Sequence, residues 1–188
     1  MHIKDKIKKF NESENFWVGI VRDFLFMATV VAIFSLASYL ALGRAAPMVA
    51  VETGSMIPNI QIGDIVFIES INRTEIITYS TGKERGYASF GDYGDVILYR
   101  KSGKEGSTPI IHRARYYVEA QQPMWPGGPL APHAGYITKG DNNALSDQQG
   151  SISRNQPVKK EWVIGTARFF RIPLMGYISL MPRKFLSG

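Results

Sequence analysis

Apolar residues are distributed along this chain in two textures. From Phe24 to Leu42 they form one run, FLFMATVVAIFSLASYLAL, without charge or proline. At ~1.5 Å rise per residue, about 19 residues span the roughly 30 Å hydrocarbon core of a bilayer. Within hydrocarbon a helix satisfies every backbone donor and acceptor locally, so the run predicts a transmembrane anchor over 24–43. Tyr39 near one end and Trp17 before the other suit the aromatic belts of the interfaces. A buried core helix of this length would carry a polar face. A cleavable signal peptide is the stronger rival, because Ala41-Leu42-Gly43 has a small-x-small form. Such segments have apolar runs of about 7–15 residues close to the N-terminus, and here a longer run follows residues 1–23.

Beyond residue 44 the runs shorten and glycine, proline and polar residues separate them. Met48–Val51, Ile65–Ile68, Val96–Tyr99, Ile110–Val118, Tyr136–Thr138 and Trp162–Phe170 read as strands. In Ile110–Val118, His112, Arg113 and Arg115 mix with apolar residues, as in a strand with one wet face. No long helical period follows residue 44. The fold class expected is therefore mainly β, a β-rich domain with one N-terminal transmembrane helix. Thr78–Tyr93 and Gln121–Gly135 are rich in turn formers and read as excursions from the sheet. The stretch 168–185 is apolar but interrupted by Arg168, Arg171 and Pro173, so it is not a span. It reads as the last strands of the core, in preference to an apolar surface leaning on the membrane.

Charge adds direction. The formal net charge is +6, and the densest basic group is Lys4, Lys6, Lys8 and Lys9, on the N-terminal side of the apolar run. A nucleic-acid binder would cluster its basic residues on one stripe of the folded domain. Here anionic lipid headgroups are the simpler partner. The positive-inside rule puts residues 1–23 in the cytoplasm and residues 44–188 outside it. Cysteine is absent, which excludes disulfides, thiolate catalysis and cysteine metal sites.

Any nucleophile must then be a hydroxyl. Ser55 stands in VAVETGSMIPNI (49–60), where a β-rich run meets Gly54 and then Pro58. Gly54 allows a tight turn and Pro58 restricts the path beyond it. The result is a serine at a strand end with its own N–H free to face an oxyanion. By itself a serine beside glycine is ordinarily a turn residue. Of the three histidines, His2 is in the tail, His133 in a proline-rich loop, and only His112 in a predicted strand. Two acids, Asp141 and Asp147, lie in GYITKGDNNALSDQQG (135–150). Either could orient the imidazole as the acid of a Ser–His–Asp triad does. The segment lacks the spacing of the common calcium loop, and an Asx-turn role for one acid stays open.

The ordered motifs TGSMIPNIQIGDIVFI (53–68), GDVILYR (94–100), IIHRA (110–114) and YITKGDNN (136–143), followed by Asp147, resemble the type I signal peptidases over roughly residues 20–180. Bacterial members generally use a Ser–Lys dyad, whereas archaeal and endoplasmic-reticulum members carry histidine where His112 stands. The resemblance implies a signal-peptidase-like catalytic domain without cofactor or metal. It implies Ser55 as nucleophile, His112 as base, Asp147 as the triad acid and Asp141 as a second important acid. It further implies Thr53 and the Ser55 N–H as the oxyanion hole. Met56 and Ile137 are expected to touch substrate because they adjoin the motifs. The implied activity is cleavage of preproteins after a small-x-small motif. Implied partners are signal peptides, the bilayer and, as a further candidate, the translocation channel, with no nucleic acid. The implied place is the cell membrane, or the endoplasmic-reticulum membrane in a eukaryote, as a single-pass protein.

Three departures stand out. Thr53 replaces the more frequent Ser, Asn59 stands where Thr is common, and the 78–93 and 119–135 stretches are longer than in minimal members. Some archaeal members end in a second membrane helix, whereas this chain ends soon after Pro182, as in a single-span or shortened form. Lys139 as base would give the bacterial-type dyad, and a pH–rate profile separates the two, since reference pKa values are about 6.5 for histidine and 10.4 for lysine. The rival functions are a non-catalytic membrane-tethered β domain and a related membrane protease of narrow specificity.

Overall fold

A computed structural model describes residues 3–178 and divides the chain into two units, Met1–Ala46 and Pro47–Gly188. In the first, helix α1 (Ile3–Asn11) sets exposed Ile3 and Ile7 among lysines. Helix α2 (Phe16–Leu42) begins before the apolar run that announced it and takes in Arg22 and Asp23. The reason is local. The Asn15 side chain accepts from Trp17 N at 3.0 Å, satisfying an N–H that the first turn leaves without a partner. Arg22 Nη1 donates to Asn11 O at 2.6 Å, tying α1 to α2. Gly43 closes the helix at φ 68°, its N–H on Tyr39 O, a backbone conformation that glycine adopts without strain. Phe26, Ile33 and Leu40 are exposed along α2, and the helix is long and apolar enough to cross a membrane.

Among its described residues the second unit has eight strands: β1 (Met48–Ala50), β2 (Ile65–Ser70), β3 (Ala88–Ser89), β4 (Asp92–Tyr93), β5 (Val96–Tyr99), β6 (Ile110–Val118), β7 (Gly135–Lys139) and β8 (Val163–Ile172). Six of them form one antiparallel sheet in the order β1-β2-β8-β5-β6-β7. Alternation along central β5 builds two cores. Val96 and Leu98 pack with Val66, Ile68, Met56 and Ile60. Ile97 and Tyr99 pack with Ala114, Tyr136, Val158 and Val163.

The mainly-β expectation describes this unit, with one difference. The 78–93 excursion contains a seven-residue helix, α3 (Tyr79–Arg85), and the β3–β4 hairpin. The Thr78 side chain caps α3 by accepting from Thr81 N. The 121–135 loop has a core of its own, in which Met124 and Ala131 pack against Val118 and Ile137. Residues 168–172 belong to β8. The remainder of the apolar C-terminal stretch from residue 179, and His2, lie outside the described residues.

Candidate active site

Sheet register brings the first three polar groups together. His112 on β6 pairs with Ile97 on β5, and Ala114 pairs with Thr138 on β7. Because side chains alternate, Tyr99, His112 and Thr138 share one face of the sheet. The loop after β7 returns Asp147 to that face, its N–H on Thr138 O at 2.9 Å. Asp147 is 2% exposed, and its carboxylate receives three side chains. His112 Nδ1 lies 2.8 Å from Oδ2 and 2.9 Å from Oδ1. Tyr99 Oη donates to Oδ2 at 2.7 Å and Thr138 Oγ1 to the same oxygen at 2.6 Å. An ionised carboxylate only accepts, so the imidazole proton belongs on Nδ1 and the Nε2 lone pair is free. Burial first, and then the Asp147 charge, push the Tyr99 phenol well above its ordinary range, which keeps it a donor.

Nε2 of His112 lies 2.9 Å from Ser55 Oγ. Ser55 occupies the middle of a single 3₁₀ turn, Gly54–Met56. Met56 and Ile60 anchor that turn in the core. From the other side Asn142 N–H donates to Ser55 O at 2.8 Å, and Asn142 Nδ2 to Gly54 O at 3.1 Å. Gly140 is what lets this loop approach. A Cβ there would lie 2.6 Å from Ser55 O and 2.9 Å from His112 Nε2. The opening N–H groups of a helical turn have no partner within it, and among the described residues Ser55 N–H has none elsewhere. Thr53 Oγ1 stands 3.3 Å from Ser55 Oγ. A mainly apolar cleft of about 600 Å³ runs from Ser55 and His112 along Met48–Thr53, with Leu98, Ile110, Ile111 and Ile152 on its walls.

The two acids have different surroundings. Asp141 pairs with Arg113, the neighbour of His112 that points to the opposite face, through Nε at 2.8 Å and Nη2 at 2.7 Å. Asn59 Nδ2 adds a third bond to Asp141 at 2.8 Å. Buried Arg113 also donates to the carbonyls of Ser89, Phe90 and Gly94, so it clamps the β3–β4 hairpin onto the Gly140–Asn143 loop. Lys139 is the cross-strand partner of Arg113, on the face away from His112. The nitrogen bonded to Ser55 Oγ, among the described residues, is that of His112.

Two expected substrate contacts are not brought to the site. Met56 is 0% and Ile137 1% exposed, each inside a separate core. Adjacency to a motif misleads in both cases. In the turn Met56 points down as Ser55 points up, and Ile137 alternates with the Thr138 that faces Asp147. The residues the motifs did not single out are Tyr99, Thr138, Arg113, Asn142 and Gly140. All five stand inside GDVILYR, IIHRA or YITKGDNN, but their partners depend on cross-strand register and on the path of the loop after β7. His133 stacks edge-on to Trp162, apart from this cluster. Among the described residues, no group of three or more His, Cys, Asp or Glu side chains converges to hold a metal.

The chain is similar in sequence to known proteins. No family profile matches the chain. It is 31% identical over 151 residues to the signal peptidase complex catalytic subunit of Talaromyces marneffei, covering 76% of this chain and 68% of that relative. The subunit of the same name from Pyricularia oryzae is 30% identical over 135 residues, covering 72% and 63%. That of Saccharomyces cerevisiae is 31% identical over 150 residues, covering 75% and 68%. The chain thus spans about two thirds of the length of these curated relatives. It belongs to the family of signal peptidase complex catalytic subunits.

Proposed function

We propose that this chain is a membrane-anchored serine endopeptidase that removes N-terminal signal peptides from secretory preproteins. The observation that carries the proposal is the hydrogen-bonded relay from Ser55 Oγ through His112 to Asp147, opening on an apolar cleft. In this reading Ser55 Oγ attacks the carbonyl before the scissile bond while His112 Nε2 takes its proton. Asp147 holds the imidazole tautomer and stabilises the imidazolium without accepting the proton. Ser55 N–H and Thr53 Oγ1 meet the developing oxyanion, where one donor is worth about 10²–10³ in rate. His112 then protonates the leaving amine. Water, activated by the same nitrogen, hydrolyses the ester that links Ser55 to the signal peptide. The apolar walls suit the small side chains of an Ala-x-Ala site.

The anchor belongs to the same proposal. With α2 across the membrane, the lysines of α1 on the cytoplasmic side and Pro47–Gly188 outside, preprotein and active site meet at one bilayer surface. A high effective concentration then replaces tight binding. The relatives are named as subunits of a complex, which supports partner subunits for this chain as well, in the endoplasmic-reticulum membrane. The test is detergent-solubilised protein with an Ala-x-Ala preprotein, reading product size and the new N-terminus. Cleavage after the second alanine that disappears in Ser55→Ala is the expected result. Equal cleavage by both proteins removes Ser55 as nucleophile.

A further inference from the structure

Resting on that protease reading, we infer that Tyr99 is a positioning residue for the triad, with Thr138 as its companion. Together they hold the Asp147 carboxylate as an oriented anion. The carboxylate is nearly sealed from water, and among the described residues no lysine or arginine is bonded to it. An anion so placed is costly unless donors surround it. The donors here are the imidazole and two neutral hydroxyls that converge on Oδ2, Tyr99 at 2.7 Å and Thr138 at 2.6 Å. Thr138 has one hydroxyl proton and stands 3.4 Å from Tyr99 Oη, so the shorter contact to Asp147 takes it. Gln148 completes the cage without competing, its Oε1 accepting from Thr138 N at 3.0 Å.

Two hydroxyls on one oxygen have a chemical consequence. Each draws electron density from the carboxylate and makes it a poorer acceptor for the imidazolium proton. The proton formed during attack therefore stays on His112, available to the leaving amine. Each also fixes the carboxylate plane, and through it the direction of Nε2 toward Ser55. The Tyr99 ring belongs to the core of Ile97, Val158 and Val163, so the hydroxyl stands on a rigid support. Tyr99→Phe keeps that packing and deletes the bond alone.

The experiment pairs kinetics with proton NMR on the full chain in detergent, with ¹⁵N-labelled histidine. The chain has three histidines, so the His112 Nδ1–H signal is assigned by its loss in Asp147→Asn. Tyr99→Phe is expected to lower kcat roughly tenfold, the lower edge of what a hydrogen bond to a charged group is worth. KM should stay within about a factor of two, because the hydroxyl touches no substrate. The Nδ1–H resonance should move downfield, since the carboxylate has lost a competing donor. Thr138→Val should do the same to a similar degree. Unchanged kcat in both variants overturns the inference, and so does a fall in kcat with the resonance unmoved. Wild-type protein that does not cleave, or that Ser55→Ala fails to silence, instead overturns the protease reading and takes the positioning role with it.

Discussion

Asp141 and Asp147 are six positions apart, of one residue type, and differ in everything that surrounds them. Asp147 faces a titratable ring and two hydroxyls; Asp141 faces a buried guanidinium and an amide. Neutralising each carboxylate should therefore fail in a different way. Asp147→Asn keeps the shape but offers an amide to Nδ1, favouring the wrong tautomer. A drop in kcat approaching 10⁴ is expected, with little change in melting temperature. Asp141→Asn leaves Arg113 charged and buried with no anion, and breaking such pairs costs about 3–5 kcal/mol. Its melting temperature should fall clearly, and residual activity should exceed that of Asp147→Asn. Melting curves and kcat for the two variants side by side check the assignment; the reverse pattern would exchange the roles of the acids.

Elements set the distances that these residues need. The turn bearing Ser55 and the loop after β7 come from far apart in sequence, and Gly140 is where they touch. Gly140→Ala would place a methyl 2.6 Å from Ser55 O. The loop must then retreat, taking with it the Asn142 bonds that pin the turn. Misplacement of a nucleophile by about 1 Å can cost 10²-fold. A fall in kcat of about that size is expected, with about 1–3 kcal/mol of overpacking strain in the stability. Activity and unfolding measured together test this, and wild-type kcat in Gly140→Ala would show that the close approach is not required. The same junction marks the limit of reading from sequence. The six strands of the main sheet are legible because their apolar runs are bounded by turn formers, and β5 and β6 start and end as expected, whereas the two-residue strands β3 and β4 are too short to show a pattern. Helix α3 is not legible: it is seven residues long, contains Gly82 and presents no apolar face. Ser55, His112 and Asp147 are legible as motif positions. Tyr99, Thr138 and Arg113 acquire roles from register alone, through the pairings of Ile97 with His112 and of Ala114 with Thr138.

For the whole molecule, four phenols, two buried and two half-buried, point to one property of the folded state. Burial is the leading cause that raises Tyr87, Tyr99, Tyr116 and Tyr136 above the ordinary tyrosine range. Nearby carboxylates add to it at Tyr87, through Asp95, and at Tyr99, through Asp147. Asp95 also receives Arg168, which binds Glu69 and so links β2, β5 and β8. Raised values mean that the folded chain keeps phenolic protons that the unfolded chain releases above about pH 10. The unfolded state then binds fewer protons, and stability falls as pH rises. Below that point both states are protonated, the contribution is fully present, and these groups impose no slope. Thermal unfolding in detergent should therefore be level in its tyrosine-dependent part up to about pH 9.5 and decline beyond pH 10. Tyr99→Phe removes one of the contributing protons, so its decline should be shallower than that of the wild type. Parallel slopes for the two proteins would mean that Tyr99 titrates alike folded and unfolded, contrary to its burial against Asp147.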